Sequence, residues 1–269
     1  MLAHDEKIRR LAIKALNQLK KDGIDIEDDE KVYLREKEIC KATKFYKAYI
    51  SEIDGSGEQG AMFSRINENG FIEVFSIVLS INDGIVDCFG FSTITKKEFQ
   101  KVLNRFRAEN IVVPICAENL KYKLNEAQKI NIEKDFPIPY EYICWSAYLY
   151  DIEETPIDYE KLFNTNSVDL VDKDYEYLYE NEIFDTWFFE YEDDKTVDKF
   201  IKEVKNYFEK TPEKINDIIE SLIDKNFETI FTDEMKENYS KMLVEEAFIF
   251  NSNKQLKEAD LCFALSKAI

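Results

Sequence analysis

Apolar and polar residues alternate through four consecutive runs between Phe45 and Phe91, and turn residues separate the runs. Phe45–Ile53 leads into Asp54-Gly55-Ser56-Gly57, and Ala61–Ile66 leads into Asn67–Gly70. Phe71–Ile81 leads into Asn82-Asp83-Gly84, and Ile85–Phe91 closes the series. Asx-Gly pairs between apolar runs mark hairpins, because Gly and Asp tolerate the positive φ that tight turns need, so the stretch predicts an antiparallel sheet. In Phe71–Ile81 one face carries Phe71, Phe75, Ile77 and Leu79, and the other carries Ile72, Val74 and Val78. A strand apolar on both faces is expected to be covered on both faces by helices from elsewhere.

Helical spacing appears on either side of that sheet. Asp5–Lys21 places Ile8, Leu11, Ala12, Ala15, Leu16 and Leu19 on one stripe and stops at Gly23. The polar, acidic Ile24–Lys37 is expected to be a connector. Thr95 and Glu98 have the spacing of a capping box ahead of a helix carrying Phe99, Val102, Leu103 and Phe106. Ile111–Ile115 reads as a short strand that Pro114 confines to an edge or a strand end. Ala117–Asn131 reads as a helix, Phe136–Pro139 as extended, and Tyr140–Tyr150 as a buried helix, apolar nearly all round.

From about Thr155 the hairpin signals stop. One stripe holds Val197, Phe200, Ile201, Val204 and Phe208, and Thr211-Pro212 opens a helix bearing Ile215, Ile218, Ile219 and Leu222. Thr232 caps another, with Met235, Tyr239, Met242, Leu243 and Phe250, and Leu256–Ile269 is the last. That last helix either docks back on the bundle or offers its apolar face to a partner. The expected fold is α+β: a small, mainly antiparallel sheet covered by helices, followed by an all-α helical bundle. The expected divisions are 1–37 (an N-terminal docking helix and acidic connector), 38–154 (the sheet domain) and 155–269 (the helical domain).

The pattern Asp5-x-x-Ile8-Arg9-x-x-Ala12-x-x-Ala15-Leu16 resembles the second helix of a HEAT-type repeat. The resemblance covers one helix, with no second copy at a period of roughly 40 residues. It implies a docking helix rather than a solenoid.

Charge narrows the function classes. The net charge of −19 argues against unaided binding to phosphate backbones or anionic lipid. Lys96, Lys97, Lys101, Arg105 and Arg107 read as the solvated face of one helix. Cys40, Cys88, Cys116, Cys144 and Cys262 are scattered and form no Cys-x-x-Cys, which points to reduced thiols. With no signal peptide and no apolar run of roughly 20 residues, the expected location is the cytoplasm.

His4 is the single histidine, which removes most imidazole and His-metal chemistry. Gly55–Gly60 joins strand to strand and contains no Lys, so it reads as a hairpin rather than a phosphate loop. Carboxylates remain: Asp54, Asp83, Asp87 and Glu98. A meander opening with an Asp and followed by an acid-bearing helix is broadly similar to the start of ribonuclease-H-like nucleases. That similarity implies carboxylates around divalent metal that activate water for phosphodiester cleavage. Here an extra strand intervenes before the helix, Glu98 has the position of a cap, and Asp83 suits its turn.

Asp172–Asp194 has the most unusual composition. Its acids (Asp172, Asp174, Glu176, Glu180, Glu182, Asp185, Glu190, Glu192, Asp193, Asp194) face one Lys, and tyrosines and Phe184, Trp187, Phe188 and Phe189 are interleaved. Phe184, Trp187, Phe188 and Tyr191 follow i, i+3, i+4, i+7, the spacing of one helix face. Such a face either packs into the core beneath a solvated acidic back or presents an acidic–aromatic surface to a basic protein.

The leading expectation is therefore a non-enzymatic protein–protein interaction or accessory protein. Its candidate contacts are Phe184, Trp187, Phe188 and Tyr191, and its partner is a basic protein or a second copy of the chain. No catalytic, cofactor-binding or metal-ligating residue is assigned, and no cofactor is expected. The alternative is a divalent-metal phosphodiesterase or nuclease centred on Asp54 and Asp87.

Overall fold

The computed structural model describes residues 29–163, 172–187 and 231–269, with 199, 201–202 and 204–205 besides. The four alternating runs form strands β1 (Thr43–Ile53), β2 (Glu58–Asn67), β3 (Ile72–Ser80) and β4 (Gly84–Ile94). With β5 (Val112–Pro114) they make one antiparallel sheet in the order β4-β3-β2-β1-β5. Pro114 sits on an edge strand, where its missing N–H breaks no ladder. The expected Asp5–Lys21 helix, and with it the HEAT-like pattern, lies outside the described residues. So do Val197, Phe200 and Phe208 of the stripe expected there, and the helix expected from Thr211.

The three hairpin turns work as their residues demand. Asp54 Oδ1 accepts hydrogen bonds from Ser56 N, Ser56 Oγ and Glu58 N, which makes the first turn an Asx turn. Asn67 Oδ1 accepts from Phe71 N, and Ser80 Oγ accepts from Asn82 N and Asp83 N. Gly84 has φ +80°, and a Cβ there would lie 2.3 Å from Ala127 O and 2.4 Å from Asn131 Oδ1. Both its conformation and its closeness to the covering helix require glycine.

Register sorts the side chains into two faces. Ile50, Ala61, Ile77 and Cys88 lie in one row across the sheet, beside Ala48, Phe63, Phe75 and Gly90. These face α3 (Ala117–Lys134), α4 (Tyr140–Ser146), α7 (Asp233–Ser252) and α8 (Leu256–Ala268). A continuous core joins them to Leu120, Leu124, Leu243, Phe250 and Phe263. The opposite face packs Tyr49, Met62, Ile66, Ile72 and Val74 against Phe99 and Leu103 of α2 (Lys96–Glu109). The alternation in β3 is thus observed, and the fold is mixed α+β with helices on both sides of the sheet. Among the described residues, sheet residues and C-terminal helix residues share the first core.

Two local expectations need correction. Asp29–Ala42 is helix α1 and not a connector; it runs directly into β1. Tyr140–Tyr150 is not buried all round: it is α4 followed by a 3-10 turn at Ala147–Leu149, with Tyr142 inside and Tyr140 and Ile143 exposed. Trp145 fastens it by stacking on Phe75, with ring centroids 5.5 Å apart. Of the two alternatives for the last helix the first is seen: Ala259, Leu261, Cys262 and Phe263 of α8 dock against the core.

Asn131 on α3 closes the start of edge strand β4. Its Oδ1 accepts from Ile85 N at 2.7 Å, and its Nδ2 donates to Asp83 O and Ile85 O. The side chain is buried and serves as a one-residue substitute for a neighbouring strand. Asn131→Ala strands the Ile85 N–H and C=O, and is expected to cost about 1–3 kcal/mol in urea unfolding. Asn131→Asp keeps the acceptor and loses the donors, so it should be no better than Ala.

Candidate functional site

Helix α2 begins where its capping box dictates. Thr95 Oγ1 accepts from Glu98 N, and the Glu98 carboxylate accepts from Thr95 N at 2.8 Å. From there it crosses the sheet to Asn110 and covers the row around Ile72 and Val74. It runs on at a slant over Met62 and, through Phe106, over Gly60 of β2, which leaves the β3–β4 side of the sheet open around Val78 and Phe89. Val78 is left half-buried, and the expected complete closure over β3 fails at this point.

That open side floors a cleft of about 640 Å³. Phe89 and Phe91 of β4 form one side, Val102 and Phe106 of α2 another, and the β1–β2 hairpin a third. Gly60 makes the shape possible: a Cβ there would come within 2.8 Å of the Phe106 ring. The strand polar groups beneath are satisfied, with Ser51 Oγ accepting from Gly60 N and Gln59 Nε2 donating to Ser51 O.

The charges lining the cleft are segregated. Glu52, Asp54 and Glu58 come from the hairpin, while Lys101 and Arg105 come from one side of α2. Glu109 belongs to the acidic end, because the chain just after it meets β1 where Glu52 N donates to Ile111 O at 3.0 Å. Burial raises the Glu52 carboxyl above its usual range; backbone hydrogen bonds pull it partly back, and the Asp54 charge adds to the rise. Glu58 is raised by burial and then by the charges of Asp54 and Asp83. Glu52 Oε2 is buried without a hydrogen-bond partner among the described residues.

The aromatic residues singled out by the sequence lie elsewhere. Glu182–Thr186 is a 3-10 turn, and Trp187 has extended backbone (φ −82°, ψ 97°), so no α-helical face runs on through this point. Phe184 is buried, edge-on to Trp187 at 4.9 Å and 6.2 Å from Phe250. Trp187 Nε1 donates to Ile53 O at 3.2 Å, and the ring packs 5.8 Å from Tyr239. Both are anchors for the acidic segment and not its exposed contacts. Phe188 and Tyr191 lie outside the described residues. What the segment does expose is Tyr177, Tyr179, Glu176, Glu180, Glu182 and Asp185, from α6 (Asp172–Tyr179) onward.

The candidate metal acids are kept apart. Asp54 is committed to its turn, Asp87 Oδ1 accepts from Cys88 N, and Glu98 is the cap. Asp54 ends β1 and Asp87 lies in β4, with β2 and β3 between them. Three inter-strand steps amount to about 14 Å. Among the described residues no group of three or more His, Cys, Asp or Glu is placed to hold a metal ion, and no helix is long and apolar enough to cross a membrane.

Three buried polar residues were not legible in the sequence. Besides Asn131 these are Arg65 in β2 and Glu246 in α7. Each interrupts an apolar run, and that interruption was the only available signal. No family model, no curated protein and no solved structure matches this chain.

Proposed function

We propose that this chain is a non-enzymatic interaction or accessory protein that docks a basic protein partner on the acidic–aromatic surface around α6. The observation that carries this reading is Tyr179, 78% exposed, between the exposed carboxylates of Glu176, Glu180, Glu182 and Asp185. Tyrosine offers a large, rigid contact area at low conformational-entropy cost and is favoured at interfaces. Carboxylates around it attract basic partners and repel acidic ones, and the net charge of −19 speeds that encounter. The neighbouring ring already receives a cation: Lys257 Nζ lies 3.7 Å from the Tyr177 centroid. Phe184 and Trp187 hold the segment against the core and so preorganise the surface.

The test compares wild type with the Tyr179→Ala/Glu180→Lys/Glu182→Lys variant as immobilised bait in host extract. A basic protein retained by wild type, released as salt rises and lost with the variant supports the reading. Retention that ignores the three substitutions, or no saturable retention at all, overturns it. A second copy of the chain as the retained species overturns the basic-partner assignment.

A further inference from the structure

We infer that the cleft between α2 and the β1–β2 hairpin binds a small zwitterion with an apolar body, in chemical class an apolar amino acid or short peptide. This goes beyond the partner surface and shares no residue with it. The volume of about 640 Å³ lies in the range of small-molecule sites and far exceeds what a single inserted side chain fills. The charge layout selects the ligand. Glu52, Asp54, Glu58 and Glu109 gather at the hairpin end, and Lys101 and Arg105 stand farther back along α2. An ammonium at the first end relieves the repulsion among those acids, where the Asp54 charge adds to the effect of burial in raising both Glu52 and Glu58. A carboxylate at the second end meets a guanidinium able to grip it through two parallel N–H bonds. Between the ends, Met62, Val78, Phe89 and Phe91 provide apolar and aromatic contact for a side chain. A ligand with only one of the two charges leaves the opposite end of the cleft unmatched.

Isothermal titration of the full chain with four probes tests this. L-phenylalanine and L-phenylalanyl-L-leucine carry both charges, L-phenylalaninamide lacks the carboxylate, and N-acetyl-L-phenylalanine lacks the ammonium. The expected result is saturable millimolar or tighter binding of one or both zwitterions, and binding weakened about tenfold or more for each single-charge analogue. Whichever zwitterion binds distinguishes the free amino acid from the peptide. Glu52→Gln should weaken the zwitterion and leave N-acetyl-L-phenylalanine unchanged, while Arg105→Ala should weaken the zwitterion and leave the amide unchanged. Val78→Trp fills the floor and should abolish binding of all four. Absence of saturable binding by any probe overturns the inference. So does binding indifferent to the probes' charges or to the Glu52 and Arg105 substitutions.

Discussion

Arg65→Met is expected to cost this protein about 3–5 kcal/mol, the largest loss from any single substitution considered, because it removes a fully employed buried cation. Arg65 is only 1% exposed, near the end of β2. Its Nε donates to Thr43 Oγ1 at 2.8 Å, and its Nη1 donates to Tyr148 O at 3.0 Å and Asp151 Oδ1 at 2.7 Å. Nη2 donates to Thr43 O at 2.9 Å and Asp151 Oδ2 at 3.0 Å. All five N–H groups therefore have acceptors, which joins α1, β1, β2 and the 3-10 turn after α4 through one side chain. Methionine fills the volume but takes the Arg65 donors from the Thr43 and Tyr148 carbonyls and the ion pair from Asp151. Lysine keeps the charge, but its single ammonium cannot reproduce the planar fork.

Asp151 sets the control. Its side chain is 42% exposed, so Asp151→Asn should cost about 1 kcal/mol or less, while Arg65 keeps its carbonyl acceptors. Burial pushes the Asp151 carboxyl up, but the hydrogen bond and charge of Arg65 outweigh that and hold it below its usual 3.8. A depressed folded-state value means the native state binds fewer protons, so this stabilisation is present above pH 3.8 and fades as pH falls below it. Urea unfolding at pH 7 should show Arg65→Met far below Asp151→Asn, with a melting temperature lower by about 10 °C or more. If Arg65→Met lies within about 1 kcal/mol of wild type, the hub is a bystander.

The contrast between Arg65 and the sheet around it shows which contacts are legible in a chain. The hairpins were readable because their causes are local: Asp54, Asn67 and Gly84 shape turns within a few residues of themselves. The capping box at Thr95 is equally local. Arg65 draws its partners from residues 43, 148 and 151, and no short-range pattern announces that meeting. Trp187 fails for the same reason. Its spacing from Phe184 suits a helix, but the hydrogen bond to Ile53 O, 134 positions away, belongs to an extended backbone. Tertiary contact overrode the local period there.

The cleft follows from the path of α2 across the sheet, which no short-range pattern gives. Alternation in β3 correctly indicated two apolar faces, but not how far each cover extends. The 14 residues of α2 start just after β4 and finish beside β1, where Glu52 N meets Ile111 O, so the helix crosses the sheet at a slant rather than along β3. That path leaves Val78 half-buried and Phe89 exposed on the β3–β4 side, and Gly60, Phe89 and Phe106 shape what remains.

Glu246→Gln is expected to stabilise the protein at pH 8.5, the reverse of what removing a buried hydrogen-bonding charge usually does. Glu246 is 0% exposed on α7, and its Oε1 accepts from Ile53 N at 2.6 Å. Its Oε2 is buried without a partner among the described residues. Burial raises the carboxyl well above 4.5; the Ile53 N–H pulls it partly back, and the charges of Glu52 and Glu245 push it further up. With the folded value above the unfolded one, the native state binds the extra proton. Stability from this group is thus complete below pH 4.5 and declines as pH rises through the folded value. Glutamine retains the acceptor for Ile53 N and never ionises, so its stability has no such decline. The gap between Glu246→Gln and wild type should be near zero at pH 5, widen with pH, and reach about 1–3 kcal/mol by pH 8.5, the cost of an unsatisfied buried group. Glu246→Leu separates charge from hydrogen bond: it also lacks the ionisation but strands Ile53 N, so it should fall below Gln by a similar amount at every pH. Parallel curves for wild type and Glu246→Gln across this range would show that Glu246 gains its proton as readily in the unfolded chain as beneath β1.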